Sequence, residues 1–147
     1  MKIFTLIIVA LFNMNSCCSE KKSQEGKQYI EKVTSQNWVG GVKGAGGGTI
    51  LSITLLKRLP SNIQLIKIQF QDREGVIFKT EELLYQASIK TFDNKEETVQ
   101  TPTIKTGLKP TQAKIFFKID GKESTLIIDD VKELPMLAYP SAKPRNN

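Results

Sequence analysis

The sequence predicts an all-β fold: an antiparallel β-sandwich, immunoglobulin-like or similar, of about six to seven strands. A partly open β-barrel is the alternative. Short runs in which apolar and polar residues alternate are typical of strands with one buried face. Turn-forming residues separate these runs at nearly regular spacing. From Trp38 onward, no stretch has the periodicity of an amphipathic helix, which favours a fold built from strands alone.

The first strands follow a polar N-terminal region. Residues 28–33 fit either a short helix or a first strand, and both interpretations stay open. Residues 50–56 predict a strand whose buried face consists of three alternating apolar side chains: Leu51, Ile53 and Leu55. Residues 63–70 predict the next strand. Its first apolar residues would lie on the opposite face from the later ones in a regular strand. This indicates a β-bulge or a strand buried on both faces near its start.

The middle of the chain continues the same pattern. Residues 72–75, Asp-Arg-Glu-Gly, predict a turn, and a short apolar run at 76–78 follows. Alternation over residues 84–92 predicts another strand, and residues 93–97 predict a polar loop. Residues 98–109 are rich in threonine and bounded by prolines, so they predict an edge strand or an extended loop.

The clearest local unit is a hairpin around Asp120-Gly121, a dipeptide typical of tight turns between strands. A two-residue loop would place Phe117 opposite Ser124, whereas a four-residue loop would place it opposite Leu126. The second register pairs apolar with apolar side chains, so we expect the four-residue loop.

The chain of 147 residues is long enough for one domain. We divide it into a lipoprotein signal peptide at 1–16, a lipidated cysteine with a flexible tether at 17–35, the β-sandwich domain at 36–140 and a polar tail at 141–147. The last apolar residues before the tail are expected to pack back on the domain.

Residues 1–16 have the composition of a secretory signal. One lysine precedes ten mostly apolar residues, fewer than the roughly 20 that span a membrane. The sequence Met-Asn-Ser-Cys ending at Cys17 matches a lipobox. We therefore expect cleavage before Cys17 and lipidation of its thiol, which would hold the protein to a membrane. An ordinary secretory signal is the alternative.

The cysteine and histidine content excludes several kinds of site. The chain has two cysteines and no histidine. With Cys17 lipidated, only Cys18 is left, so neither a disulfide framework nor a cysteine zinc site can form. Without histidine, Ser-His-Asp catalysis, Cys-His catalysis and His-ligated metals are excluded. We therefore expect a non-enzyme, with no catalytic residues, no metal site and no cofactor.

The net charge of +6 falls to +5 when the lysine of the signal peptide is removed. The remaining lysines are scattered along the chain. A nucleic-acid-binding protein carries instead a dense basic stripe or basic residues interleaved with aromatic ones. We interpret the lysines as solvated surface charge and expect no nucleic acid as partner.

One segment before the first clear strand is rich in glycine. No lysine follows these glycines at the spacing of a Walker A loop, and the run precedes a strand, so a nucleotide-binding loop is excluded. Two interpretations stay open: a structural loop that needs positive φ or close backbone approach, and a loop that contacts a ligand. The residues singled out for either role are Trp38, Gly40, Gly41, Gly44, Gly46, Gly47 and Gly48.

Adjacent acidic residues occur three times, at Glu81-Glu82, Glu96-Glu97 and Asp129-Asp130. Paired carboxylates can perform acid–base chemistry or bind calcium. Adjacent residues in a strand point to opposite faces, however, so none of these pairs is a preformed dyad. We interpret them as solvated charge and keep an envelope hydrolase that uses carboxylates as an alternative.

Three segments carry a family resemblance. Residues 36–49, with Gln-Asn-Trp-Val-Gly-Gly-Val-Lys-Gly at their start, residues 120–122, Asp-Gly-Lys, and the Ala-Tyr-Pro at 138–140 resemble small lipoproteins of the Bacteroidetes, flavobacteria especially. The match covers most of residues 36–146 and consists of glycine turns and core residues. The group has no assigned activity, so the resemblance implies a compartment and a fold more than a function.

The sequence therefore predicts a lipid-anchored binding or accessory module of the cell envelope, held in the outer membrane. The expected partner is an envelope protein or a glycan, and an immunity or inhibitor lipoprotein is a further alternative. Lipoproteins of this phylum often reach the cell surface through an acidic tag after the cysteine, but residues 19–22 contain one acid. The periplasmic or surface-exposed face and the oligomeric state stay open.

Overall fold

A computed structural model of the chain describes residues 26–41, 46–92 and 103–139. The signal peptide, Cys17, Cys18, Gly44 and the tail at 141–147 lie outside these ranges. The described residues form eight strands, one or two more than the six to seven that the sequence predicted. They are β1 (Ile30–Val39), β2 (Gly47–Leu55), β3 (Ile63–Phe70), β4 (Arg73–Lys79), β5 (Leu84–Phe92), β6 (Ala113–Ile119), β7 (Lys122–Ile128) and β8 (Lys132–Ala138).

The strands form one sheet in the order β7-β6-β3-β4-β5-β2-β1-β8. All neighbours are antiparallel except β1 and β8, which are parallel. Strand β4 pairs with β3 through residues 73–76 and with β5 through residues 77–79. The sheet curls into a half-barrel. The all-β class is thus confirmed, and the partly open barrel describes the sheet better than two separate layers do.

The hydrophobic core lies on the concave side of this half-barrel. In β2, Leu51, Ile53 and Leu55 are all buried, as their alternation predicted. In β6, every second residue from Ala113 to Ile119 is buried in the same way. Burying a large apolar side chain contributes about 1.5–3 kcal/mol, so these two strands account for much of the stability.

Bulges bring apolar residues of irregular spacing to the core. In β3, Leu65 pairs with Phe117 and Lys67 with Phe116, so Ile66 is an extra residue, and the predicted bulge is confirmed. In β1, Glu31 is extra in the same way, because Ile30 pairs with Leu55 and Lys32 with Thr54.

The domain begins earlier than the expected boundary at residue 36. Strand β1 starts at Ile30, inside the stretch 17–35 that was assigned to the tether, and Val33 is one of the most buried residues. Of the two interpretations of residues 28–33, the first strand is therefore confirmed. The bulge at Glu31 hides this strand in the sequence, because it places Ile30 and Val33 on one face although they are three residues apart.

The expected four-residue loop of the last hairpin is wrong. Ile119 pairs with Lys122 and Phe117 with Ser124, so the loop has two residues. Asp120 and Gly121 have φ values of 51° and 76°, as a type I′ turn requires. Pairing rules predicted an apolar partner for Phe117 within the hairpin. Its ring instead packs against Gly26, which lies outside the hairpin.

The turn between β3 and β4 also differs from the prediction. It is centred on Gln71 and Asp72, whose φ values are 47° and 59°, and Arg73 already belongs to β4. Both central residues have positive φ, so this too is a tight hairpin turn, although it contains no glycine. Residues 103–109, of the stretch expected as an edge strand or extended loop, form no strand and lie beside this turn, where the Ile104 N–H donates to the Asp72 carbonyl.

Candidate functional site

The predicted site residues that the structure describes lie at one end of β1 and β2, and Gly44 is outside the described residues. Trp38 is the penultimate residue of β1, and Gly47 and Gly48 begin β2. The loop between them is closed by a hydrogen bond from the Gly40 N–H to the Gly46 carbonyl at 3.0 Å. Gly46 has a φ of 71°, a conformation that favours glycine. At this position the structural interpretation of the glycines has a direct physical basis.

Gly48 has a different role, because it makes room for the indole of Trp38. The two residues pair across β1 and β2. A Cβ atom at residue 48 would lie 2.8 Å from the indole Nε1 and 2.5 Å from the Ile89 carbonyl oxygen. The indole therefore lies against the backbone of the neighbouring strand, at a place where any side chain would meet it.

Tyr139 meets Trp38 from the end of the last strand. Its backbone N–H donates to the Val39 carbonyl at 3.1 Å. The two rings lie edge to face, with centroids 6.1 Å apart and an interplanar angle of 78°. This geometry is favourable for aromatic pairs and holds both rings in place. Sequence reasoning missed the pair, since a partner 101 residues further along the chain gives no local signal.

Apolar side chains surround this ring pair at the edge of the sheet. Tyr139 is 52% exposed and Met136 is 63% exposed, and both Val39 and Leu137 are also exposed. We name this surface the aromatic edge, which consists of Trp38, Val39, Met136, Leu137 and Tyr139. Exposed apolar residues that occur singly are ordinary, whereas these lie close together at one corner of the sheet, with Trp38 and Val39 on opposite faces because they are adjacent in β1.

Polar residues beside the aromatic edge are fixed by hydrogen bonds to one another. Asn37 accepts a bond from the Thr49 hydroxyl at 2.7 Å and donates to Glu133 at 3.2 Å. The Gln36 amide donates to the Pro135 carbonyl at 2.9 Å. These bonds join β8 to the rest of the sheet, so the apolar side chains of β8 are presented on a defined backbone.

A second surface lies where the two ends of the sheet approach each other. The first residues of β1 and the last residues of β7 enclose a groove of about 410 Å³, which we name the seam groove. Its apolar lining comes from Ile30, Val33, Ile127 and Ile128. Its charged residues are Lys27, Lys32, Lys132, Glu31, Asp129 and Asp130. No sequence pattern indicated this groove, because two segments about a hundred residues apart form it.

The acidic pairs have different surroundings. Asp129 and Asp130 both line the seam groove, and Asp129 accepts a hydrogen bond from the Gln112 amide at 2.6 Å. Glu82 forms an ion pair with Arg58 at the surface, and Glu96-Glu97 lies outside the described residues. Within residues 26–41, 46–92 and 103–139, no three acidic or cysteine side chains are grouped so that they could hold a metal ion.

Two carboxyl groups away from both surfaces have perturbed acidity. The backbone N–H and the hydroxyl of Thr106 donate to Asp72 at 3.0 and 2.8 Å, and they lower the pKa of that carboxyl. The Lys67 ammonium donates to Glu74 at 3.0 Å and lowers the pKa of the Glu74 carboxyl. Asp72 holds the 103–109 segment to the turn between β3 and β4, and Glu74 joins β4 to β3. Neither group lines the aromatic edge or the seam groove.

The described part of the chain contains no helix with the length and apolar character needed to cross a membrane.

Comparisons with known proteins identify no family, relative or related structure for this chain. No family model matches the chain, and neither does any curated protein or solved structure.

Proposed function

We propose that this protein is a lipid-anchored binding module of the bacterial cell envelope that holds its partner through the aromatic edge. The observation that carries the proposal is the ring pair of half-buried Trp38 and exposed Tyr139, which Gly48 and an edge-to-face contact hold in place. Tryptophan and tyrosine bring large contact areas with little entropy loss, and they are enriched at the centres of binding surfaces. The proposed partner is an envelope protein or a glycan.

The placement of the first strand supports this arrangement. Eight residues, 18–25, lie between Cys17 and Gly26, so a lipid on Cys17 would keep the start of the domain within about 30 Å of the membrane. Strand β1 then runs for ten residues, or roughly 30 Å. The aromatic edge lies at the far end of β1, so a domain standing on its tether presents this edge away from the outer membrane that anchors it.

The anchor is tested by metabolic labelling. Radiolabelled palmitate should be incorporated into the wild-type protein and into Cys18→Ala, but not into Cys17→Ala. Loss of the label should also move the protein from the membrane to the soluble envelope fraction. Absence of label from the wild-type protein, or label that survives Cys17→Ala, would show that the anchor is wrong.

The binding surface is tested by site-specific photocrosslinking in intact envelopes. A photoreactive residue at Met136, on the aromatic edge, should capture a discrete partner. The same residue at Val76 is the control, because Val76 is even more exposed but lies on β4, on another part of the sheet. Capture at Met136 should disappear in Trp38→Ala. Equal capture at both positions would contradict the proposed surface.

A hydrolase that uses carboxylates is the second candidate, because Glu31, Asp129 and Asp130 line one groove. The purified protein would then hydrolyse model glycosides or esters, and Asp130→Asn would abolish the activity without unfolding the domain. Activity of this kind would replace the binding module as the proposed function. An immunity or inhibitor lipoprotein would instead be identified by a toxin among the crosslinked partners.

A further inference from the structure

Two strand edges face each other across the seam groove. Strand β8 pairs with β1 only through residues 34–39, so residues 30–33 of β1 have no strand on that side among those described. Strand β7 ends the sheet at the other side. A barrel closed at this point would need one more strand, or part of one, between the end of β7 and the start of β1.

The backbone of β7 presents hydrogen-bonding groups to this groove. The pair that closes a two-residue turn, here Ile119 and Lys122, exchanges hydrogen bonds, and bonded pairs then alternate along the ladder. Ser124 and Leu126 therefore bond to β6, whereas the N–H and C=O groups of Glu123, Thr125 and Ile127 point outward. Of these three residues, Ile127 lines the seam groove.

The two free edges of the sheet differ in how they are protected. Strand β8 contains Pro135 and has two residues, Pro135 and Met136, opposite Asn37. Proline and bulges are the devices that keep edge strands from pairing with other chains. Near the groove, β7 has neither device, and Ile127 is 48% exposed. Among the described residues, the edge without proline or a bulge is thus the one that lines the groove.

The chemistry of the groove favours a polypeptide. Its lining combines four apolar side chains with three lysines and three carboxylates. Because the three lysines balance the three carboxylates, the groove has no net positive charge to attract a polyanionic glycan, which would also leave the outward N–H and C=O groups of the edge poorly matched. The backbone of an extended peptide supplies alternating hydrogen-bond donors and acceptors to the strand edge. Its side chains can contact the apolar residues of the groove and form ion pairs with charges of either sign.

We propose that the seam groove binds an extended segment of a partner polypeptide, which adds to the outer edge of β7 as a further strand. The open stretch of β1 spans four residues, or about 13 Å, so the bound segment should have four to five residues in the groove. This inference rests on the proposed function as a binding module, but it uses a surface separate from the aromatic edge.

The experiment uses the full-length lipidated protein in detergent micelles and a displayed library of eight-residue peptides. Selection should enrich peptides with apolar residues at alternate positions and no central proline. Binding should protect the amide of Ile127 from hydrogen exchange. Ile127→Pro removes the outward N–H and leaves the bonds between β7 and β6 in place, so the affinity should fall about tenfold.

Two matched variants complete the test. Glu123→Pro removes an outward N–H from the same strand outside the groove, and it should change the affinity less than about twofold. Ile127→Val keeps the N–H and should bind like the wild-type protein. Thermal unfolding of all three variants separates lost binding from lost folding.

Several results would overturn the inference. These are the absence of enriched peptides, equal binding to Ile127→Pro, and loss of binding in Trp38→Ala, which would assign the peptides to the aromatic edge. If peptides were enriched only after residues 18–25 had been replaced by glycine and serine, this segment of the chain would be the natural occupant of the groove. A dimer that Ile127→Pro dissociates would assign it to a second copy. Loss of binding in Trp38→Ala would support the aromatic edge, and the other results do not bear on the palmitate label or on capture at Met136, so the proposed function fails or stands independently.

Discussion

The indole of Trp38 lies against Gly48 so closely that a Cβ at residue 48 would meet both the indole and the Ile89 carbonyl. We expect Gly48→Ala to lower the free energy of unfolding by about 1–3 kcal/mol, as overpacking usually does. Because Trp38 is the only tryptophan, its fluorescence reports the displacement of the ring. Chemical denaturation and the emission maximum measure the two effects.

The control for this prediction is Gly107→Ala. A Cβ at Gly107 would meet nothing within 4 Å, although its φ of +67° strains an alanine. This variant should lose some stability but keep the wild-type emission maximum. An unchanged emission maximum in Gly48→Ala would show that the indole does not depend on the glycine.

The early start of the domain predicts unequal effects of neighbouring substitutions in β1. Val33 is 1% exposed and packs in the core, so Val33→Ala should cost roughly 2 kcal/mol through lost burial and a cavity. Lys32 is exposed, and Lys32→Ala should change stability by less than about 0.5 kcal/mol. Urea unfolding compares them. Equal, small effects would indicate that the strand does not extend this far.

The tight turn of the last hairpin predicts a penalty for a side chain at Gly121. Its φ of 76° is unfavourable for an L-residue, so Gly121→Ala should destabilise the domain by about 1 kcal/mol. Asp120→Asn should be neutral or slightly stabilising, because asparagine tolerates the first position of a type I′ turn well. Thermal unfolding of the pair checks this. A four-residue loop would predict no such difference.

The contact between Thr106 and Asp72 predicts how the 103–109 segment responds to acid. The pKa of Asp72 is lowered in the folded state, so its contribution to stability is complete above the unfolded value, about 3.9. The contribution is lost as the pH falls through the lower folded pKa. NMR titration of the Asp72 carboxyl carbon should therefore give a midpoint below about 3.9.

A hydroxyl deletion separates the two donors of this contact. In Thr106→Val the backbone N–H still donates, so the Asp72 pKa should rise only part of the way to the ordinary value. The Ile104 amide donates to the Asp72 carbonyl at 2.7 Å, and its protection factor against hydrogen exchange should fall at low pH. A full return to the ordinary pKa would mean that the backbone bond also breaks.

Strands β2, β5 and β6 could be predicted from the sequence because in each one face carries apolar residues at every second position over most of its length. For β5 the expected range of 84–92 matches the observed strand Leu84–Phe92. The bulge in β3 was also predictable, since apolar residues of opposite parity within one strand require either a bulge or burial of both faces. In these strands the local pattern of apolar residues agrees with the burial in the folded domain, so the sequence alone is sufficient to predict them.

Other features depend on partners that are remote in the chain. Strand β8 contains Pro135 and has mostly exposed side chains, so no alternation indicates it, and it forms only because β1 offers a parallel edge. The predicted register of the last hairpin was wrong because Phe117 packs against Gly26 rather than across the strand pair. Of the candidate site, Trp38 and Gly48 were predicted, whereas the seam groove was not.

The parallel pairing of β1 with β8 has a consequence for how the domain folds. Gln36 and Pro135, which share a hydrogen bond, are 99 positions apart in the chain. A contact of this separation forms late, since most of the intervening chain must already be ordered to offset the entropy of closing the loop. We therefore expect the first strand to keep one edge uncovered until the last strand arrives.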